Sequence, residues 1–273
     1  MKINNPKLYH ILKYMKNFKK YPNLKNPSTI TEIVLKNLLE GKISQHYYLA
    51  DKIEAKEYVR KRVGDKYIVN NLFLLDRIED IDVSQLPEKF VVKTNNSCET
   101  NYFCYNKENF DKSDCIITVN NWLKVNYGAL YHEIHYKLIE PRVFIEEFIE
   151  SPSGQVDYKF FCFNGTPYFV QVINQENKEQ KFYDMDWKEA PFKFSSSTIS
   201  KEEFFKPGNF EEMIDIAKKI SQDIDFCRID LYNVEGKILF GEITLTPKGG
   251  YLKFEPSSYN KRFGDIYYEE LSL

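Results

Sequence analysis

Phe226-Cys227-Arg228-Ile229-Asp230-Leu231-Tyr232 and Phe240-Gly241-Glu242-Ile243-Thr244-Leu245-Thr246 are the two stretches on which the reading of this sequence turns. Both alternate. Successive side chains of a strand point to opposite faces, so Arg228 and Asp230 share one face while Cys227, Ile229 and Leu231 share the other. Glu242, Thr244 and Thr246 are likewise set against Ile243 and Leu245. A loop of Glu235-Gly236-Lys237 joins the strands so that Asp230 falls across from Glu242 and Arg228 across from Thr244, with Cβ atoms about 4.5–5.5 Å apart. Two facing carboxylates repel each other. Such a pair calls for a shared proton, a cationic partner such as Arg228, or a metal ion. The plain reading is a solvated hairpin face with an ordinary Asp–Arg pair. The functional reading is Mg²⁺, which takes one or two carboxylates and completes its octahedron with phosphate and water oxygens.

That functional reading needs phosphate-binding cations elsewhere, and candidates exist. Lys93 ends the apolar run Phe90-Val91-Val92-Lys93. Lys159 sits inside Asp157-Tyr158-Lys159-Phe160-Phe161-Cys162-Phe163, where a charge among aromatics is costly unless paired. Snorkelling at a strand end is the bland alternative for either lysine. Around these runs, residues 7–40 read as helical, with Thr29 or Thr31 as N-cap and Gly41 as a stop. A helix from Asp51 to Val63 ends at Gly64. Strands are predicted at Tyr67–Leu75, Phe90–Lys93, Tyr102–Tyr105 and, after Pro141, Arg142–Phe148, with a helix near Val119–Tyr127. Tyr158–Phe163 and Tyr168–Ile173 flank Asn164-Gly165, a pair suited to a tight turn. Met213, Ile216, Ala217 and Ile220 recur at i, i+3, i+4, i+7, which marks an amphipathic helix with a core-facing stripe. The sum is an α+β chain with mixed or antiparallel sheets.

Composition bounds the rest. A chain of 273 residues with 42% hydrophobic and 16% aromatic content can bury a sizeable core. Its 38 basic and 40 acidic residues give a formal charge of -2, which supplies no broad field for nucleic acid or an anionic membrane. Neither a signal peptide nor a membrane-spanning run is evident, so a cytoplasmic location without membrane insertion is expected. Five cysteines without a C-x-x-C pair argue for free thiols rather than a disulfide framework or zinc ribbon. His132-Glu133-Ile134-His135 lacks the H-E-x-x-H spacing of zinc proteases and reads as a structural or surface segment.

The order of these features resembles the ATP-grasp superfamily over about residues 50–273. Asp51-Lys52 and Phe90-Val91-Val92-Lys93 resemble its two lysine motifs. Val143-Phe144-Ile145-Glu146-Glu147-Phe148-Ile149 resembles the strand and hinge that receive adenine, and the hairpin above resembles the metal-binding hairpin. More narrowly, Asp157–Gly165, Phe182–Trp187 and Arg228–Gly236 resemble the TupA-like branch, associated with teichuronopeptide and capsular glycan synthesis. The resemblance implies an ATP-grasp fold of two α+β lobes clasping ATP: a helical segment 1–50, a small lobe 51–146, and a core lobe 147–273 with the hairpin. It implies that Lys52 and Lys93 contact ATP phosphates, and that Glu146 with the backbone of Glu147, Phe148 and Ile149 binds adenine. By the same inference Asp230, Glu242 and Thr244 hold Mg²⁺, and Arg228 stabilises the transferring group. Lys159 and Lys181 are further candidates at the reacting phosphate.

Three departures from the family pattern stand out. The loop Thr94–Asn101 occupies the place of a glycine-rich phosphate loop but has no glycine, although backbone amides approach phosphate closely only where side chains do not intrude. Thr244 stands where many relatives use Asn. The residues before Asp51 are too few for the usual preceding α/β domain. The leading expectation is a carboxylate–amine ligase acting through an acyl phosphate on a uronic acid of a cell-surface glycan, with a small amine as the second substrate. A kinase or transferase acting on a glycan hydroxyl, and a non-catalytic nucleotide- or glycan-binding protein, are the competing readings.

Overall fold

The computed structural model describes residues 4–98, 100–151 and 156–272. Helix α1 (Pro6–Phe18) and helix α2 (Ile30–Leu39) come first. Thr29 caps α2 in a capping box with Glu32, which fixes where that helix begins. The chain is non-helical between α1 and α2, so the single helical region expected over 7–40 is two helices. Helix α3 (Lys52–Val63) is capped by Asp51, whose carboxylate accepts from the amides of Ile53 and Glu54, and it stops at Gly64.

Strands β1 (Asn71–Leu75), β2 (Phe90–Thr94) and β3 (Asn101–Cys104) follow, then α4 (Lys112–Leu123), the single turn α5 (Tyr127–Leu130) and β4 (Val143–Glu147). Helix α4 begins seven residues before the Val119 predicted for it, because Asp111 caps it through the Asp114 amide at 2.9 Å. These four strands form an antiparallel sheet in the order β1-β4-β2-β3. One face of it, with Phe90, Val92, Val143 and Ile145, packs on Cys115 and Val119 of α4. By the two-residue period, Lys93, Phe144 and Glu146 lie on the opposite face.

Strands β5 (Val156–Phe163), β6 (Thr166–Asn174), β7 (Glu179–Tyr183), β8 (Lys193–Phe194) and β9 (Thr198–Ile199) precede helix α6 (Phe210–Ser221). Then come β10 (Phe226–Val234), β11 (Lys237–Thr244), β12 (Phe254–Glu255) and helix α7 (Ser258–Leu271). The large sheet runs β11-β10-β5-β6-β7-β9, antiparallel except where β7 meets β9, and β12 pairs with β8 separately. Met213, Ile216, Ala217 and Ile220 of α6 are buried against Phe160, Val170 and Ile229. Burial of each larger one stabilises the fold by about 1.5–3 kcal/mol. On the other face Phe161, Phe163, Phe169 and Phe182 pack with Ile30, Ile33 and Val34 of α2 and Phe263 of α7. Helix α2 is therefore part of the large-sheet core. So is α3, which contributes Ala55 and Val59 to it, although the expected lobe boundary at residue 51 assigned α3 to the small lobe.

All five cysteines are free, Cys98 alone being exposed. Among the described residues no helix is long and apolar enough to cross a membrane. His135 is fully buried, and neither ring nitrogen has a partner among the described residues. Burial holds its pKa down at about 4. His10, also buried, bonds Tyr251 Oη at 2.7 Å and the His132 carbonyl at 3.1 Å, and burial again outweighs that carbonyl to give about 4. With both folded pKa values below the unfolded value of about 6.5, the unfolded chain binds more protons between the two. Stability is thus expected to be intact above about pH 6.5 and to fall as pH drops towards 4, by roughly 3 kcal/mol per histidine at most. His135→Phe should reduce that slope by about one proton in urea melts across this range. Identical slopes in the variant and the parent would remove His135 from the account.

Candidate active site

Asp230 does face Glu242, and Arg228 faces Thr244. The route differs from the expected one. The turn has two residues, Glu235 (φ 50°) and Gly236 (φ 87°), instead of three, which alone would shift the register by one. A bulge between Asp230 and Leu231, with Gly241 as the extra residue of β11, shifts it back. A Cβ at Gly241 would lie 3.1 Å from the Tyr232 ring and 3.2 Å from the Asp230 carbonyl, a tight fit that favours glycine at the bulge.

Arg228 holds the two carboxylates together. Its Nε donates to Asp230 Oδ1 at 2.6 Å, while Nη2 donates to Asp230 Oδ2 and Glu242 Oε1, both at 2.7 Å. The Thr244 hydroxyl also donates to Glu242 Oε1 at 3.1 Å. On β5, directly across from Asp230, Lys159 pairs with Asp230 and, at 3.2 Å, with Asp157. Asp157 is buried, and its Oδ1 has no partner among the described residues. Glu242 is half-buried, with 37% of its side chain exposed. Burial opposes its ionisation, but Arg228, Lys159 and Lys52 outweigh burial and hold its pKa at about 2.

The small sheet and helix α3 together supply the other cations. Glu146, 4% exposed, is gripped by Lys93 from the neighbouring strand and by Lys56 of α3 at 2.7 Å. Lys56 also donates to the Val69 carbonyl at 2.8 Å and to Asn71 at 2.6 Å. Burial pushes the Glu146 pKa up, and Lys93 and Lys56 together bring it below the usual range. Its side chain is therefore spent on two lysines, leaving the Glu147–Ile149 backbone as the candidate for adenine. Lys52 feels Glu242, Lys93 and Glu146 together, so the charged groups of both sheets meet around it.

The glycine-free loop is a closed polar knot. The Thr94, Ser97 and Thr100 hydroxyls bond one another, and Asn95 ties Asp51 at 2.8 Å to the Glu140 carbonyl at 3.0 Å. The Ser97 carbonyl accepts from Lys52 Nζ. A carbonyl, not an amide, faces that lysine. Glu99 of this loop lies outside the described residues.

Residues 31–268 match the family described as TupA-like ATPgrasp. The chain belongs to that family. No curated protein matches the sequence at a significant level. Among solved structures, the D-alanine–D-alanine ligase of Bacillus anthracis complexed with ATP is 15% identical, with 82% of this chain and 65% of that one covered and a TM-score of 0.46. The Helicobacter pylori D-alanine–D-alanine ligase is 16% identical, with 78% and 59% covered and a TM-score of 0.49. The L-amino acid ligase of Bacillus licheniformis is 10% identical, with 84% and 44% covered and a TM-score of 0.44. The chain thus spans less than two thirds of each of these three.

In this TupA-like ATP-grasp chain one candidate falls away from the cluster. Lys181 of β7 pairs with Val172, whose side chain belongs to the α6 face of the large sheet, and its ammonium is bound by Glu203 at 2.7 Å and Glu189 at 3.1 Å. Lys181 therefore lies on the far side of the sheet from Lys159 and cannot reach a phosphate there. Three residues that the sequence reading passed over belong to the cluster: Lys56, Asp157 and Lys248. Lys56 is four residues after Lys52, hence on the same helix face, which is the signal that would have found it. Lys248, in Thr246-Pro247-Lys248-Gly249-Gly250, has φ 56° and is followed by two glycines with positive φ. Burial and the neighbouring Arg228 and Lys159 charges lower its pKa, and no carboxylate among the described residues pairs with it.

The donor chemistry suits a hard divalent cation, with one oxygen of Glu242 left open among the described residues while Arg228 and Lys159 hold both oxygens of Asp230. Asp230, Glu242 and Thr244 offer only oxygens, and nothing among the described residues bonds the second oxygen of Glu242. No three Asp, Glu, His or Cys side chains converge into a fuller cage among the described residues. That is the donor count expected of an ion that keeps phosphate and water in its shell.

Proposed function

We propose that this chain is an ATP- and Mg²⁺-dependent ligase that joins a carboxylate to an amine through an acyl phosphate. The observation that carries this reading is the cluster in which Lys52 and Lys93 meet the carboxylates and cations of the large sheet, Arg228, Lys159, Asp230 and Glu242. Chemistry of this kind needs positioning and charge neutralisation and no protein nucleophile. The nearest thiol, Cys98, is given no part: desolvation by the surrounding protein and the Glu242 charge raise its pKa, which disfavours the thiolate even though the side chain reaches the surface.

Lys52 and Lys93 bind the ATP phosphates, with Glu146 and Lys56 fixing the position of Lys93. The backbone at Glu147–Ile149 receives adenine. Asp230, Glu242 and Thr244 hold Mg²⁺, which when bound neutralises charge on the phosphates. The substrate carboxylate oxygen attacks the γ-phosphorus as the bond to ADP breaks. Arg228 and Lys159 steady the transferring phosphoryl group. Amine nitrogen then attacks the acyl carbon, phosphate leaves, and a proton is lost from nitrogen. Lys248 supplies the unpaired charge against which the carboxylate is oriented. For substrates we propose a uronic acid of a cell-surface glycan and a small amine, joined in the cytoplasm where ATP is made.

Hydroxylamine tests the reaction class. Supplied with ATP, Mg²⁺ and a uronate-bearing glycan, it should yield a hydroxamate, because a small nucleophile intercepts an acyl phosphate. Phosphate appearing on a glycan hydroxyl without hydroxamate would replace the ligase with a kinase. ATP that is never consumed would leave a binding protein.

A further inference from the structure

The formal charge of -2 conceals a sharp asymmetry: residues 1–31 contain seven lysines and no acidic residue. Most of this charge surrounds α1. Its buried side, with His10, Ile11 and Tyr14, packs on the protein. Leu8, Leu12 and Met15, spaced i, i+4 and i+7, form a stripe on the outer side and are 49%, 44% and 41% exposed. Lys7, Lys16, Lys19 and Lys20 are also exposed, and no carboxylate among the described residues pairs with any of them. An apolar stripe bordered by unpaired lysines does not suit contact with water alone. It has the pattern of a helix lying in a membrane interface, apolar side chains entering the acyl boundary and ammonium groups meeting lipid phosphates.

The patch does not end with α1. The His132 carbonyl bonds His10, and beside it Leu130 and Tyr131 are 50% and 43% exposed, so the neighbouring segment extends the apolar surface. Charge decides between occupants. A second copy of this chain would set lysine against lysine, whereas an anionic bilayer complements them.

We propose that α1 docks the protein peripherally on an anionic phospholipid surface, without spanning it. The Pro247–Gly250 turn lies directly behind this helix, because Tyr251 bonds His10 and Lys13 stands over the Tyr251 ring at 4.5 Å. Docking therefore holds the turn that carries Lys248 beside the lipid.

Co-sedimentation of the full chain with vesicles tests this without reference to catalysis. The protein should partition onto phosphatidylglycerol–phosphatidylcholine vesicles and not onto phosphatidylcholine alone, and added salt should release it. Removing one lysine should lower partitioning about fivefold, and reversing Lys16, Lys19 and Lys20 to Glu should lower it at least about a hundredfold. Leu12→Asp should also weaken binding, at an unchanged melting temperature, since the residue is exposed. No partition onto anionic vesicles overturns the proposal. So does vesicle binding by Leu12→Asp equal to that of the parent, which would leave surface charge alone. A dimer that Leu12→Asp splits, with no vesicle binding, would give the face to a second copy and overturn it equally.

Discussion

Asp230→Asn and Glu242→Gln are each expected to remain folded and to lose at least about a hundredfold in ATP-dependent turnover. The folding half follows from the network. When Asp230 is neutralised, Arg228 keeps Glu242 at 2.7 Å and Lys159 keeps Asp157 at 3.2 Å. When Glu242 is neutralised, Arg228 keeps both Asp230 oxygens. Glu242→Gln gives up one charged hydrogen bond, at about 1–3 kcal/mol, whereas Asp230→Asn weakens three at a buried position, at about 3–5 kcal/mol, which lowers the melting temperature without unfolding the chain. The catalytic half follows from the donor set, since an amide is a poor ligand for a hard cation and the site has few oxygens to spare. ADP release and thermal melting, measured side by side, check both halves. Turnover within about tenfold of the parent, in a protein that melts normally, would detach these carboxylates from the chemistry.

The second large effect sets apart the two lysines that hold Glu146. Lys56→Met should destabilise the protein by about 3–5 kcal/mol, because one buried ammonium satisfies Glu146, the Val69 carbonyl and Asn71 at once. Lys93→Met should leave the unliganded protein much closer to the parent. The Lys93 side chain is 20% exposed against 5% for Lys56, and Glu146 keeps its second partner. The order reverses for nucleotide. ATP with Mg²⁺ raises the melting temperature of a protein that binds it only when folded, and Lys93→Met should abolish most of that rise. Urea melts and ATP-dependent thermal shifts of the two variants separate these roles. Equal destabilisation by both, or an ATP shift untouched in Lys93→Met, would end the assignment.

Much of this was legible in the sequence because it depended on local rules. Alternation gave the face shared by Arg228, Asp230, Glu242 and Thr244, and the helix period gave the buried stripe Met213, Ile216, Ala217 and Ile220. Asn164-Gly165 and the cap pair Thr29–Glu32 were equally local. What stayed hidden depended on partners far away in the chain. Glu146 reads as a hinge residue until Lys56, ninety positions earlier, closes on it. Lys181 has a plausible address beside a family motif, but one step along a strand exchanges faces, and Glu203 meets it on the wrong one. Glycine's absence from the loop at residues 94–101 hinted at weak phosphate binding without revealing the hydroxyl triangle that takes its place.

The hairpin at the centre of the site has a vernier built into it. Its short turn and the bulge at Gly241 each displace one strand by a single residue, in opposite senses, so only their sum matters to Asp230 and Glu242. The distal turn lies at the far end of the strands from Asp230 and Glu242 and would look free to vary, yet its length is locked to the bulge. A one-residue insertion at Glu235-Gly236 preserves the carboxylate pairing only together with a deletion that straightens β11. Grafting this hairpin into another scaffold therefore means moving both irregularities as one unit.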